Sequence, residues 1–186
     1  MVLPILPEGT FIPTFATGPG RRAAPPWINP IGGWTNPETV SAFGDCVKKL
    51  AAALQGHVRI WNTFNEPDTY ACCAFVLGEF PPQQRWRVGA FRRVIHNMAK
   101  AHAQVCTVIR ETGSAFGPVE VGFSKNWTFF LAHRKWFAWD AAFARFAHSQ
   151  FNQFVLEAFQ QGAGGQAATF LGVNYYGRIR QSISQD

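Results

Sequence analysis

The chain has 186 residues, 47% of them hydrophobic and including eighteen Phe and seven Trp, which is enough apolar material for the core of one domain. Its formal net charge is +6, but the densest basic group, Arg85, Arg87, Arg92 and Arg93, reads as the solvated face of a helix with no recognition motif beside it, which argues against a nucleic-acid partner. No uninterrupted apolar run approaches the ~18 residues of a membrane-spanning helix.

The opening Met1 to Leu6 has no positively charged lead and meets Pro4 and Pro7 at once, so no signal peptide and a cytoplasmic location are expected. Phe11 to Phe15 suits a short strand, followed to Trp34 by a long loop rich in Gly, Pro and Arg. Asn36-Pro37-Glu38 is a helix start, with Asn as cap, Pro in the first turn and an acid where the helix dipole favours it. Val40, Phe43, Val47, Leu50 and Leu54 then form one apolar stripe, and Gly56 ends the helix.

His57 to Phe64 alternates as a strand, with Val58, Ile60, Asn62 and Phe64 on one face and Arg59, Trp61 and Thr63 on the other. Pro67 is expected to end it and to push Glu66 toward extended geometry. Asp68 to Gln84 reads as irregular. A second helix over about Arg85 to Glu111 places Phe91, Val94, Ile95, Met98, His102, Val105 and Ile109 on one face, where His102 fits a satisfied buried histidine better than a ligand. Val119 to Phe123 is the next strand, Ala141 to Phe159 is helical in two pieces, and Ala168 to Val173 is a further strand. Four strands thus alternate with three helices, the pattern of a parallel α/β fold in one domain over residues 1–186, with no internal repeat.

Cys46, Cys72, Cys73 and Cys106 lack Cys-x-x-Cys spacing and read as reduced. The five histidines show no ligand spacing with acids or thiols, so neither a metal nor a cofactor is expected. Asn126-Trp127-Thr128 fits a glycosylation sequon, which without secretion stays idle.

The informative run is Trp61-Asn62-Thr63-Phe64-Asn65-Glu66-Pro67, a carboxyl beside an amide at a strand end. Such a pair suits sugar chemistry, since the acid can protonate a glycosidic oxygen while the amide holds a ring hydroxyl. A plain turn accounts for Asn-Glu-Pro as well. Gly32-Gly33-Trp34 precedes the run, and Phe170-Leu171-Gly172-Val173-Asn174-Tyr175-Tyr176 follows it. In this order and spacing, from about Phe11 to Arg180, the series resembles family 1 glycoside hydrolases, the retaining β-glucosidases and β-galactosidases built on a (β/α)8 barrel.

The resemblance implies a partial (β/α)8 barrel of about four parallel βα units, spanning roughly the third to sixth barrel strands. It implies a hydrolase of terminal β-D-glucosides or galactosides, a small-molecule β-glycoside or oligosaccharide substrate, and no cofactor. Glu66 would be the general acid/base. Asn65 would bind the sugar's 2-hydroxyl, Tyr176 would orient the nucleophile, and Asn174 would support the same wall. Asn126 would lie near the carboxylates and Trp127 on the aglycone side, although a buried structural tryptophan explains Trp127 equally well.

Two departures stand out. The family's nucleophile sits in a Glu-Asn-Gly sequence that does not occur here, and Glu79, Glu111, Glu120, Asp140 and Glu157 have no motif to replace it. The family's His-His-Phe is likewise absent, Ala16-Thr17-Gly18 standing in its place, with Arg21 and Arg22 in the basic run that follows. A non-catalytic carbohydrate-binding or interaction protein on the same scaffold is therefore a second reading, and open barrel edges would favour self-association.

Overall fold

A computed structural model of the chain describes residues 14–16, 32–162 and 168–181. The expectations for Phe11 to Pro13 and for Arg21 and Arg22 lie outside the described residues.

The elements in chain order are β1 (Thr14–Ala16), α1 (Glu38–Leu54), β2 (Ile60–Asn65), α2 (Pro67–Cys72), α3 (Val88–Gly113), β3 (Glu120–Asn126), β4 (Phe129–Ala132), α4 (Ala138–His148), α5 (Phe154–Gly162), β5 (Phe170–Asn174) and β6 (Arg178–Gln181). Strands β1, β2, β3 and β5 form one parallel sheet in that order. Helix α3 packs against both α1 and α5 and rests on β2 and β3. This is the α/β class that the alternation implies.

Pro37 takes the N-cap position of α1 that the sequence suggests for Asn36, whose Oδ1 accepts the Glu38 N–H at 3.0 Å from one residue further out. The α1 stripe is buried at Phe43 and Val47, and all seven residues of the α3 stripe are buried. Trp34, Phe43 and Phe64 form a cluster of rings with centroids 5.1 to 5.4 Å apart, and Phe159 of α5 meets Phe64 edge-on at 6.0 Å. These rings weld the two outer helices onto β2.

His102 is fully buried between Phe123 and Phe159. The Thr63 hydroxyl donates to the Gly122 carbonyl at 3.1 Å, so it accepts from His102 Nδ1, 2.7 Å away. Burial, helped by the Arg110 charge, lowers the His102 pKa to about 4. The ring is thus a neutral, satisfied core histidine. Close contact between β3 and β5 depends on Gly122, where any Cβ would run into the Phe170 carbonyl oxygen.

Two expectations need correction. β2 begins at Ile60 and not at His57, and from Trp61 to Phe64 both of its faces are buried; helices cover the outward side chains of a parallel strand while the inward ones face neighbouring strands. Residues after Glu66 are not irregular throughout: α2 begins at Pro67 and runs into a π-helical turn, Cys73–Leu77. β4 and β6 are not expected from the sequence, and they pair in parallel as a separate two-stranded ribbon directly after β3 and β5. Four-residue strands give too short a pattern to read.

Candidate active site

Glu66 follows β2, and parallel α/β folds place their chemistry at such carboxyl ends of strands. Its backbone is left-handed, φ 52° and ψ 56°, and not the extended form that its position before Pro67 implies. The Glu66 N–H donates to the Ser124 carbonyl at 2.7 Å, while its own carbonyl accepts from Tyr70 N–H at 3.2 Å in the first turn of α2. The residue is held to β3 on one side and must start a helix on the other. Only a sharp turn satisfies both, at a cost on the order of 1–3 kcal/mol for a non-glycine residue.

Glu66 is 8% exposed, and its carboxylate accepts donors from α2 and from the residues that end and follow β5. Tyr176 Oη donates to Oε1 at 2.6 Å, and Asn174 Nδ2 donates to the same oxygen at 2.7 Å. Thr69 Oγ1 donates to Oε2 at 3.0 Å. Asn174 Nδ2 also reaches Asn65 Oδ1 at 3.1 Å. The Glu66 hydrogen bond raises the Tyr176 pKa, since a phenolate beside a carboxylate is disfavoured.

Four residues marked in the sequence, Asn65, Glu66, Asn174 and Tyr176, therefore form one hydrogen-bonded group. Asn126 joins it through Thr69, to whose hydroxyl its Nδ2 donates at 3.1 Å, and its Oδ1 accepts from Thr128 at 3.0 Å. Trp127 is half-buried and meets the His148 ring edge-on at 6.2 Å, and its backbone N–H donates to the Asn174 carbonyl at 2.8 Å. The resemblance ties Tyr176 to the nucleophile; here its hydroxyl serves Glu66.

A buried ion pair beneath this group escapes sequence reasoning. Lys125 Nζ lies 2.6 Å from Asp68 Oδ2, both side chains having no exposure. Burial pushes the Asp68 carboxyl up to about 6 in spite of Lys125, and it lowers the Lys125 ammonium in spite of Asp68. No local signal marks Lys125, which lies on the same face of β3 as Val121 and Phe123. Asp68 offers one weak cue, its place two residues after Glu66.

The thiols near the site are not nucleophiles at neutral pH. Burial pushes Cys72 up to about 11 and Cys73 up to about 12, with the carboxylates of Asp68 and Glu79 adding to the former and Cys72, Glu79 and Glu66 to the latter. Among the described residues no group of three or more His, Cys, Asp or Glu could hold a metal ion.

Comparison with known proteins gives this geometry a family. The sequence profile of Glycosyl hydrolase family 1 matches residues 24–169, more than half of the chain. β-Glucosidase A of Thermotoga maritima is 34% identical over 125 residues, 67% of this chain and 27% of that protein. Human lactase/phlorizin hydrolase is 31% identical over 105 residues, 55% of this chain and 5% of that protein. Among solved structures, a β-glycosidase from Pyrococcus horikoshii superposes with a TM-score of 0.69 at 28% identity, covering 87% of this chain and 39% of that one. The T. maritima β-glucosidase bound to glucoimidazole superposes equally well, TM-score 0.69 at 24% identity, over 84% of this chain and 40% of its own. The chain thus spans less than half the length of these relatives, and its sheet and helices are a partial (β/α)8 barrel. A profile match across residues 24–169 and a shared barrel geometry place the chain in glycosyl hydrolase family 1.

Proposed function

We propose that this segment supplies the acid/base half of a retaining β-glycosidase acting on terminal β-D-glucosides or galactosides. The observation that carries the reading is the convergence of Tyr176, Asn174 and Thr69 on the carboxylate of Glu66. Oε1 accepts two donors and Oε2 accepts Thr69, so the carboxyl that would pass its proton to the substrate is held in one orientation. In the first step the proton passes to the glycosidic oxygen as its bond to the sugar breaks and a second carboxylate bonds to the anomeric carbon. In the second, Glu66 as carboxylate takes a proton from the water that displaces the glycosyl group. Asn65, adjacent and tied to Asn174, would hold the 2-hydroxyl, with Asn126 on the same wall and Trp127 toward the aglycone.

Retention needs the two carboxylates about 5–5.5 Å apart, and the sequence contains no Glu-Asn-Gly. A second reading, a non-catalytic carbohydrate-binding protein, uses the same hydrogen-bonding wall of Asn65, Asn174 and Tyr176. The experiment joins this segment to the remaining barrel strands in one polypeptide and compares Glu66→Gln with the parent. Substrates with poor leaving groups should slow far more than activated aryl β-glycosides, and azide should restore turnover of the activated substrate as a β-glycosyl azide. Equal activity on all substrates would remove Glu66 from the role. Glucose binding by the parent without any turnover would favour the second reading.

A further inference from the structure

We infer that Lys125 is a positioning residue for Glu66, acting through Asp68 and through the Asn126–Thr69 pair. This rests on the proposed acid/base role, and its ground is the geometry of one buried ammonium. Lys125 Nζ donates to Asp68 Oδ2 at 2.6 Å, to the Asn126 carbonyl at 2.8 Å and to Asn152 Oδ1 at 3.1 Å. An ammonium has three protons, and all three are used. The Phe151 ring, 4.8 Å away, and the Trp127 ring, 5.6 Å away, face the same charge.

The three acceptors come from three elements that must agree for Glu66 to sit where it does. Asp68 lies in the first turn of α2, two residues beyond Glu66, and its Oδ1 accepts the Asn126 N–H at 3.4 Å. Asn126 ends β3 and donates to the Thr69 hydroxyl, which in turn donates to Glu66 Oε2. Asn152 comes from the π-helical turn Ser149–Gln153 between α4 and α5, is fully buried, and donates to the Thr128 carbonyl at 2.8 Å. The extra residue in a π turn rotates a side chain away from the helical path, and here Asn152 points inward onto the ammonium. Glu66 itself occupies a left-handed backbone conformation that persists only if its surroundings over-determine it. Lys125 clamps the first turn of α2, on the far side of that strained residue, to the adjacent strand end.

A buried ion pair is weak evidence for stability, because desolvating both charges offsets their attraction. An apolar pair would fill the space as well for folding alone. What an apolar pair lacks is the set of directional bonds that fixes α2 against Asn126.

The test reads the side-chain amide signals of Asn126 and Asn174 by NMR in this 186-residue chain, with the Asn97 amide, which donates to the Trp34 carbonyl at 2.9 Å, as a remote control. Because Lys125→Met alone leaves Asp68 buried and unpaired, the main variant is Lys125→Met with Asp68→Asn, which removes both charges together. The Asn126 and Asn174 signals are expected to shift toward those of solvated asparagine amides or to broaden, while the Asn97 signal stays in place. Unchanged Asn126 and Asn174 signals, or an equal displacement of Asn97, would overturn the positioning role. If the double variant does not fold, Asp68→Asn alone decides by the same signals, since it takes the charge from the Lys125–Asp68 contact and keeps a polar side chain of the same shape. Glucoimidazole affinity is measured in parallel, with a loss on the order of 10-fold expected in the double variant for a misplaced carboxylate. Failure of the parent chain to bind glucoimidazole would count against the acid/base reading, and the amide signals would still decide the role of Lys125.

Discussion

The Tyr176 hydroxyl lies 2.6 Å from Glu66 Oε1, joining residues 110 apart in the sequence across the ends of two non-adjacent strands, β2 and β5. Strand β3 separates them, and its terminal Asn126 takes part from below through Thr69. The group therefore exists only when β2, β3 and β5 are all in register.

That bond has a spectroscopic signature. The chain holds three tyrosines, and Glu66 raises the pKa of Tyr176 through the hydrogen bond and the charge. Glu66→Gln should lower the titration of one tyrosine toward the ordinary range, and Tyr176→Phe should abolish that same step. Ultraviolet absorbance titration of the three proteins checks it. An identical alkaline titration in parent and Glu66→Gln would mean that the bond does not form in solution.

His102 predicts an acid weakness. Its pKa is 6.5 in the unfolded chain and about 4 in the folded one, so the unfolded state takes up the proton first as pH falls. The stability this histidine contributes is complete above pH 6.5 and is lost as pH drops toward 4, a change of about 3 kcal/mol. Asp68 works in the opposite direction: with a pKa raised from 3.8 to about 6, its contribution is complete at low pH and is lost as pH rises through 6. The informative quantity is therefore the difference between parent and His102→Gln in urea unfolding at about pH 7, above both titrations, and at about pH 4.5, between the folded and the unfolded one. The variant should be less stable at neutral pH, and the gap should narrow on acidification. A gap of constant size would show that His102 does not titrate in this window.

The outer edge of the sheet carries a third expectation. β5 ends the strand order among the described residues, and its Leu171 and Val173 side chains are 39% and 57% exposed. An apolar strand with unpaired backbone groups recruits another strand. Sedimentation of this chain should show concentration-dependent association, and replacing both residues with Lys should move it toward monomer. A single monomeric boundary at all concentrations would contradict this.

Elements with long or strongly patterned sequences are legible from the sequence alone. The stripes of α1 and α3 can be read residue by residue, because a helix with one buried face repeats its apolar positions over many turns. The break in the helix between Ala141 and Phe159 is legible too, although its form, a π turn that aims Asn152 inward, is not. Asn65, Glu66, Asn174 and Tyr176 stand out because they lie in contiguous motifs at strand ends. The four-residue β4 and β6 leave no readable pattern, and the true bounds of β2 are equally hidden, since a strand covered on both faces loses its alternation.

By itself, then, the sequence determined the alternation of helices and parallel strands, the burial of His102, and the motifs whose polar residues meet around Glu66. Only the tertiary structure decided who bonds to whom: that Tyr176 and Asn174 share one oxygen of Glu66, that Glu66 turns left-handed, and that Lys125 and Asp68 meet, fully buried, beneath it. The reason is physical. Helix stripes and strand-end motifs arise from local periodicity, whereas a buried ammonium is tolerable only when its acceptors arrive together, and two of the three, Asp68 and Asn152, come from distant segments that nothing near Lys125 announces.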